Sequence, residues 1–476
     1  MVGEVTASST SHEGVRDKLS AVLTQLPFRL PFDAAHDQEF FAATPAAPGV
    51  FVLRPIQAGA EPYVSKTANL RRRMQRLLGS PQAAAQIPTQ NAPQIAAQPA
   101  LPSRRLNLRE RVGSVEFSQI GGDFEAGFAL YRLLRAEFPE KYSERLHLRP
   151  APLLQLLLEN PYPRLAVTSR IRSLRMASTC FGPFASRAEA EQYASDSLDF
   201  FLLRRCTEEL APDPNFPGCI YSEMKMCLAP CFKGCSDERY AEESARVEHY
   251  LESGGHSLLV EIGRARDEAS ERLEFEGAAA AHARVEKLKA VQRGIAEIVH
   301  RIDRLNGLLL QPSHLPGHIA LFRISSGMIY GPIAFDLNAR ALKPEFRPQQ
   351  QGAPLRGAYP AGSQTHDETA QKVPTQSMEA RIKELLRAVE IVPPRSAQEW
   401  MEHLAILKRW FYRTNKVGEI FFEDEQVAQT APPGAGLPMR RVVRAVGRVL
   451  KGEKPAGDLS ETAGDYWLFR AKEGGL

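Results

Sequence analysis

The chain has 476 residues, 43% of them hydrophobic, which suits a substantial core and several domains of roughly 100–200 residues each. Lysine and arginine (60) nearly balance aspartate and glutamate (56), so the net charge of +4 makes no general case for nucleic acid, and any such surface must be local. No apolar run approaches the roughly 18–20 residues of a membrane span and the N-terminus lacks a basic stretch followed by an apolar one, so the expectation is a cytoplasmic protein with no membrane partner.

In chain order, residues 1–45 read as an N-terminal extension with one amphipathic segment, Val15 to Leu26. Residues 48–79 read as strand, turn, strand, helix. PGVFVLRP and PYVSK are apolar runs with a polar break between them, and TANLRRRMQRLLG carries Leu70, Met74, Leu77 and Leu78 at helical spacing. The stretch 80–103, rich in Ala, Gln and Pro, reads as a disordered insertion. A strand near Gly113–Ile120 and a helix over Phe124–Glu137 complete a small α/β domain at 46–145.

A cysteine-cluster region occupies 146–236 and a helical region, dense in Ala, Glu, Arg and Leu, 237–305. The region 306–343 holds a β-hairpin turning about Ser325-Ser326-Gly327, followed by a polar linker at 344–376. The C-terminal helical region, 377–476, has helices near 377–390, 396–413 and 438–451. The fold class is therefore expected to be α+β multidomain: the small α/β domain, a cysteine-rich metal module, a helical hairpin and a small C-terminal α/β region.

All six cysteines lie between residues 180 and 235, and four of them, Cys206, Cys219, Cys227 and Cys231, follow C-x12-C-x7-C-x3-C. In reducing surroundings such clustering points to metal rather than disulfides. Four soft thiolates suit an iron–sulfur cubane or a tetrahedral zinc ion, and spacing alone does not choose between them or against free thiols. Cys235 is a spare or alternative ligand, and Cys180 reads as a lone buried thiol.

Taken together, these segments resemble UvrC, the incision subunit of bacterial nucleotide excision repair. APGVFVLRP…PYVSKTANLRRRMQRLL is similar to the family's GIY-YIG nuclease core, EAGFALYRLLRAEFPEKY to the helix carrying its metal-binding Glu, and YPRLAVTSR and CFGPFASRAEA to its next landmarks. Arg205–Cys235 resembles its cysteine cluster, and Arg272–Leu288 its UvrB-interaction motif. The likeness covers residues 46–305. The family's second, RNase H-like nuclease and its helix–hairpin–helix units find no counterpart. The hairpin at 318–337 and HLAILKRWFYRTNKVGEIFF look more like the terminal part of shortened UvrC-homologous proteins.

The resemblance implies a phosphodiester-cutting site that needs a carboxylate to hold Mg²⁺ or Mn²⁺, tyrosines to orient water, and a cation for the developing charge. Tyr63, Lys66 and Arg73 stand at catalytic positions. Lys66 and Arg73, about two helical turns apart, would face one phosphate if the helix began near Lys66. Phe51 replaces the first-motif Tyr, Ser65 the second-motif Gly, Leu77 a frequent Tyr, and Leu130 the metal-binding Glu. Glu125 lies about 140° around the helix from Leu130, and Glu137 returns to its face about 10 Å further on. A degenerate site is one reading; a register shift that hides a working Glu is the other.

The resemblance further implies a 4Fe–4S cluster on the cysteine quartet and a UvrB-like partner for the helical region, with Phe275, Val285 and Leu288 as its contacts. Arg71, Arg72, Arg73 and Arg76, with Arg104, Arg105, Arg109 and Arg111, offer phosphate contacts beside the site, and Arg440, Arg444 and Arg448 form a second basic stripe. Three functions follow: a DNA- and UvrB-binding repair protein with a weak or silent nuclease site, an active endonuclease making one metal-dependent incision, or an iron–sulfur structural or redox-sensing protein that does not bind DNA.

Overall fold

A computed structural model describes residues 26–80, 107–339, 376–424, 427 and 434–452. Most of the amphipathic segment at 15–26, the expected insertion and linker, and Arg104 and Arg105 lie outside the described residues. The chain is α+β and divides into two compact units, one built mainly from residues up to 147, the other mainly from 148–312, 319–335 and 382 onward.

The first unit is a four-stranded antiparallel sheet with helices on both faces. Its elements are β1 (Phe28–Pro31), α1 (Asp37–Ala43), β2 (Gly49–Pro55), β3 (Tyr63–Thr67), α2 (Leu70–Leu78), β4 (Val112–Gln119), α3 (Asp123–Glu137) and α4 (Tyr142–Leu146), with strand order β1-β4-β2-β3. The edge strand β1 and helix α1 lie in the stretch that carried few sequence signals. Strand β2 is buried on both faces because each is covered by a helix. Phe51 and Leu53 pack with Leu70, Met74, Leu77 and Leu78 of α2, while Val50 and Val52 pack with Ala126, Ala129, Leu130 and Leu133 of α3. Gly49 lets these layers meet, since a Cβ there would lie 2.6 Å from both a Leu70 methyl and the Ser118 carbonyl.

Helix α2 begins at Leu70, where the Asn69 side chain caps it by accepting the Arg72 N–H at 2.9 Å. Lys66 lies in β3, in keeping with the strand reading of PYVSK, so the condition under which Lys66 and Arg73 would face one phosphate along a single helix is not met.

The second unit contains two antiparallel sheets. One, ordered β6-β5-β7-β8, joins β5 (Leu153–Leu156), β6 (Leu165–Thr168), β7 (Cys180–Gly182) and β8 (His300–Arg301). Its core is completed by α5 (Arg187–Leu198), α7 (Asp237–Glu252), α8 (His256–Glu271) and α9 (Phe275–Arg293), with the one-turn α6 (Ile220–Glu223) in the cysteine loop. Helices α8 and α9 pack as an antiparallel hairpin whose bend places Leu273 in the left-handed region at φ 60°.

The other sheet, ordered β11-β10-β9-β12, comprises β9 (Gly307–Pro312), β10 (His318–Ser325), β11 (Met328–Asp336) and β12 (Glu419–Phe422), accompanied by α10 (Met378–Ala388), α11 (Ala397–Phe411) and α12 (Met439–Lys451). The expected hairpin turns on Ser326 and Gly327, both at positive φ as a tight two-residue turn requires. Helix α11 fastens it: Trp400 Nε1 donates to the Ser326 carbonyl at 2.7 Å, and His403 Nδ1 accepts the Ile329 N–H at 3.0 Å.

Candidate functional site

Strand pairing sorts the residues of the nuclease-like motif. In an antiparallel pair, directly opposed side chains share a face. Leu53 opposes Tyr63 and Phe51 opposes Ser65, on the side covered by α2; Val50 opposes Lys66 and Val52 opposes Val64, on the side covered by α3. Tyr63 and Arg73 are brought together, the guanidinium donating to the phenolic oxygen at 2.8 Å. Arg73 Nε is buried and makes no hydrogen bond. Lys66 is exposed on the opposite face, so strand and sheet separate it from Arg73 rather than stacking the two along one helix.

The replaced positions serve as packing. Phe51 is fully buried with its ring 6.1 Å from that of Tyr63, and Leu77 belongs to the same apolar layer. Leu130 packs against the layer of Val50 and Val52. Its two acidic neighbours are occupied. Glu125, 7% exposed, accepts the Gly121 N–H at 3.0 Å at the start of α3, and burial pushes its carboxyl up to about 7. Glu137 takes both ends of the Arg54 fork at 2.6 Å each, and Arg54 also reaches Glu116 at 2.8 Å. This Arg54 clamp ties β2, β4 and α3 together across 62 and 83 residues, and no sequence motif announces it.

The basic residues divide in the same way. Arg71 donates to the Thr44 and Ala42 carbonyls, and Arg109 bridges Asp37, the Leu78 carbonyl and the Ala34 carbonyl, so both are committed to the fold rather than presented to phosphate. Arg72, Arg76 and Arg111 are exposed. On α12, Arg440 and Arg444 are exposed, but Arg448 grips the buried Glu419 of β12 at 2.8 and 3.0 Å, which breaks the expected stripe.

In the second unit, Cys206, Cys219, Cys227 and Cys231 are half-buried, form no disulfide, and lie near enough to act on one another electrostatically. Burial pushes the thiols of Cys227 and Cys231 up, Cys219 and Cys206 push both further, and Cys231 also raises Cys227; backbone hydrogen bonds from Ala229 and Phe232 act the other way. Among the described residues no group of three or more His, Cys, Asp or Glu side chains is placed to hold a metal ion. Cys235 stands apart, its thiol raised by burial and then by Asp237. Cys180 is sealed in β7, its thiol pushed by burial up to about 12.

The loop carrying the quartet is anchored by residues that the sequence reading passed over. Arg204, 1% exposed, donates through Nε to the Tyr162 carbonyl at 2.9 Å and through one terminal nitrogen to the Glu208 carbonyl at 2.8 Å. That nitrogen also lies 3.6 Å from Cys206 Sγ. The Arg204 N–H donates to the Tyr240 hydroxyl, which donates in turn to the Pro163 carbonyl. The only sequence signal is the pair Arg204-Arg205 ahead of Cys206.

The helical hairpin gives a mixed outcome. Phe275 is 72% exposed and Leu273 70%, at the bend. Val285 and Leu288 face inward, in the core shared with Val247, Tyr250 and Ile262, so they are corrected from partner contacts to core residues.

Residues 152–250 match the family model "UvrC/Cho excinuclease, middle domain", a span containing β5 to β7, the cysteine quartet and most of α7. Curated relatives include the UvrABC system protein C of Rickettsia bellii, 29% identical over 231 residues, 47% of this chain and 35% of the relative. Those of Rickettsia canadensis and Rickettsia felis are 27% and 25% identical, over 49% and 57% of this chain and 36% and 39% of theirs. The chain thus spans little more than a third of the length of these relatives. No solved structure matches it. No described helix is long and apolar enough to cross a membrane. The chain is thus similar to UvrC/Cho excinucleases across the region of the cysteine quartet, and to UvrABC system protein C over about half its length.

Proposed function

We propose that this protein acts in nucleotide excision repair by binding DNA and a UvrB-like partner, carries a 4Fe–4S cluster on Cys206, Cys219, Cys227 and Cys231, and cuts DNA weakly or not at all at its GIY-YIG-like site. The observation that carries the nuclease part is the fate of the carboxylates. Leu130 packs where the family resemblance expects a metal-holding Glu, Glu125 is spent on the Gly121 N–H, and Glu137 on Arg54.

Arg73, steadied by Tyr63 and with Nε unspent, is suited to receive a phosphate oxygen and to offset the charge that grows as water attacks phosphorus. A bound Mg²⁺ or Mn²⁺ would polarise the phosphoryl oxygen and activate the water, a contribution of several kcal/mol and so of orders of magnitude in rate. Tyr63 and Arg73 alone leave phosphate binding as the stronger property. The exposed pair Leu273 and Phe275 supports the partner surface, and the exposed Arg72 and Arg76 support phosphate contact. The quartet, with backbone donors aimed at two of its sulfurs, supports the cluster.

The intact Tyr63–Arg73 pair favours a second reading, an active endonuclease making one incision. Lesion-bearing duplex DNA should be incubated with anaerobically purified protein and Mg²⁺ or Mn²⁺, with and without UvrB. Wild type runs beside Phe51→Tyr/Leu130→Glu and Arg73→Ala. The expected result is little or no cutting by the wild type and some by the double variant. Cutting by the wild type that Arg73→Ala abolishes overturns the proposal in favour of the second reading. DNA affinity that does not respond to salt would instead leave the third reading, a cluster protein that does not bind DNA.

A further inference from the structure

Arg204 is a charged side chain placed where a charge ought not to be. It is 1% exposed and, among the described residues, pairs with no carboxylate. Two of its nitrogens are satisfied by neutral carbonyls, and its remaining terminal nitrogen is buried with no hydrogen-bond partner. A guanidinium does not shed its proton to escape burial, so such a site persists only where something anionic offsets it. The group at hand is Cys206, whose sulfur lies 3.6 Å from the nitrogen that also bonds the Glu208 carbonyl.

We propose that Arg204 is the internal counter-cation of the cysteine centre, donating an N–H···S hydrogen bond to the Cys206 thiolate and setting the electron affinity of whatever cluster the quartet holds. This inference rests on the metal-centre reading above. Four thiolates around a doubly positive core, cubane or zinc, carry a net double negative charge, which is what an unpaired buried guanidinium lacks. The side chain is built for the task. The Tyr162 and Glu208 carbonyls fix its plane, and the Tyr240 hydroxyl fixes its backbone, so the fork cannot turn away from the sulfur. Hydrogen bonds to cluster sulfurs and nearby positive charge favour the reduced, more negative form. Arg204 is a positioning residue: it acts on the centre through Cys206.

The test uses the full chain, purified anaerobically, as wild type, Arg204→Gln, Arg204→Lys and Arg205→Gln. The last removes the same charge one residue away, from a side chain that bonds Asp199 at 3.0 Å instead of a cysteine. Iron, sulfide and zinc are measured, the midpoint potential is taken by titration monitored by electron paramagnetic resonance, and thermal unfolding is compared before and after reconstitution. The expected result is a lower midpoint potential in Arg204→Gln, a smaller shift the same way in Arg204→Lys, and none in Arg205→Gln. The stability gained on reconstitution should shrink in the same order. A loaded Arg204→Gln with the wild-type potential and the wild-type gain overturns the proposal. If that variant does not fold, an unshifted Arg204→Lys does so. Wild type that takes up neither iron nor zinc fails earlier, at the metal-centre reading, so the two failures are distinguishable.

Discussion

The sheet domain and the cysteine region differ in what occupies their polar groups. In the first unit the charged residues nearest the motif are bound to one another or to backbone: Arg54 to Glu116 and Glu137, Arg109 to Asp37, Arg71 to two carbonyls, Glu125 to Gly121. Tyr63 and Arg73 bond to each other, while Phe51, Leu77 and Leu130 are packing residues. Most of these side chains are spent on holding the fold. In the second unit four half-buried thiols form no disulfide, and the buried Arg204 beside Cys206 has a donor to spare, as Arg73 does in the first unit.

The largest expected effect breaks this comparison directly. Cys227→Ser should abolish metal loading, read as loss of iron and sulfide and of the visible absorption of the anaerobic protein, because a cubane needs one thiolate per iron. Unchanged metal content would put the cysteines on the same footing as the sheet domain.

Next, Phe51→Ala should destabilise the first unit by about 3–5 kcal/mol in urea unfolding, as a fully buried ring is lost from its main layer. A loss near zero would mean that Phe51 is not packing, and would reopen its place in the site.

Glu125 sharpens the contrast through pH. Its folded value of about 7 lies above the ordinary 4.5, so between those values the folded protein keeps a proton that the unfolded chain has released. Stability from this group is therefore present below about pH 4.5, falls as pH rises through the window and is lost above about 7. Glu125→Gln should flatten that part of the profile and exceed the wild type above pH 7 by up to about 3 kcal/mol. Identical pH profiles would show that the carboxylate is ionised in the fold and available to a cation after all.

The smallest effect concerns the surface. Arg72→Ala/Arg76→Ala should weaken DNA binding alike for all sequences and lower the slope of log affinity against log salt by about 2, one per phosphate contact. Arg71→Ala, whose side chain is spent on α1, should leave that slope unchanged and cost stability instead.

Much of the first unit was legible because its signals are local. Gly49 opens an apolar run buried on both faces, and Leu70, Met74, Leu77 and Leu78 repeat at helical spacing. Period-two alternation within the strand PYVSK alone sets Lys66 on the opposite face from Tyr63. The Arg54 clamp was not legible, since its partners are 62 and 83 residues away and spacing carries no information at that range. Strand β12 is four residues, too short for its pattern to distinguish strand from helix, and its partner β9 lies more than 100 residues earlier. Val285 and Leu288 show the limit of periodicity: it finds an apolar face without saying whether the chain itself or another molecule covers it.

Cys180 lends itself to a different use. With its thiol pushed up by burial and its side chain sealed in β7, Cys180 offers little thiolate to a reagent, so alkylation must wait for the strand to open. Once the quartet and Cys235 are blocked or replaced, this residue becomes a built-in clock, its labelling rate reporting how often the sheet of the second unit breathes.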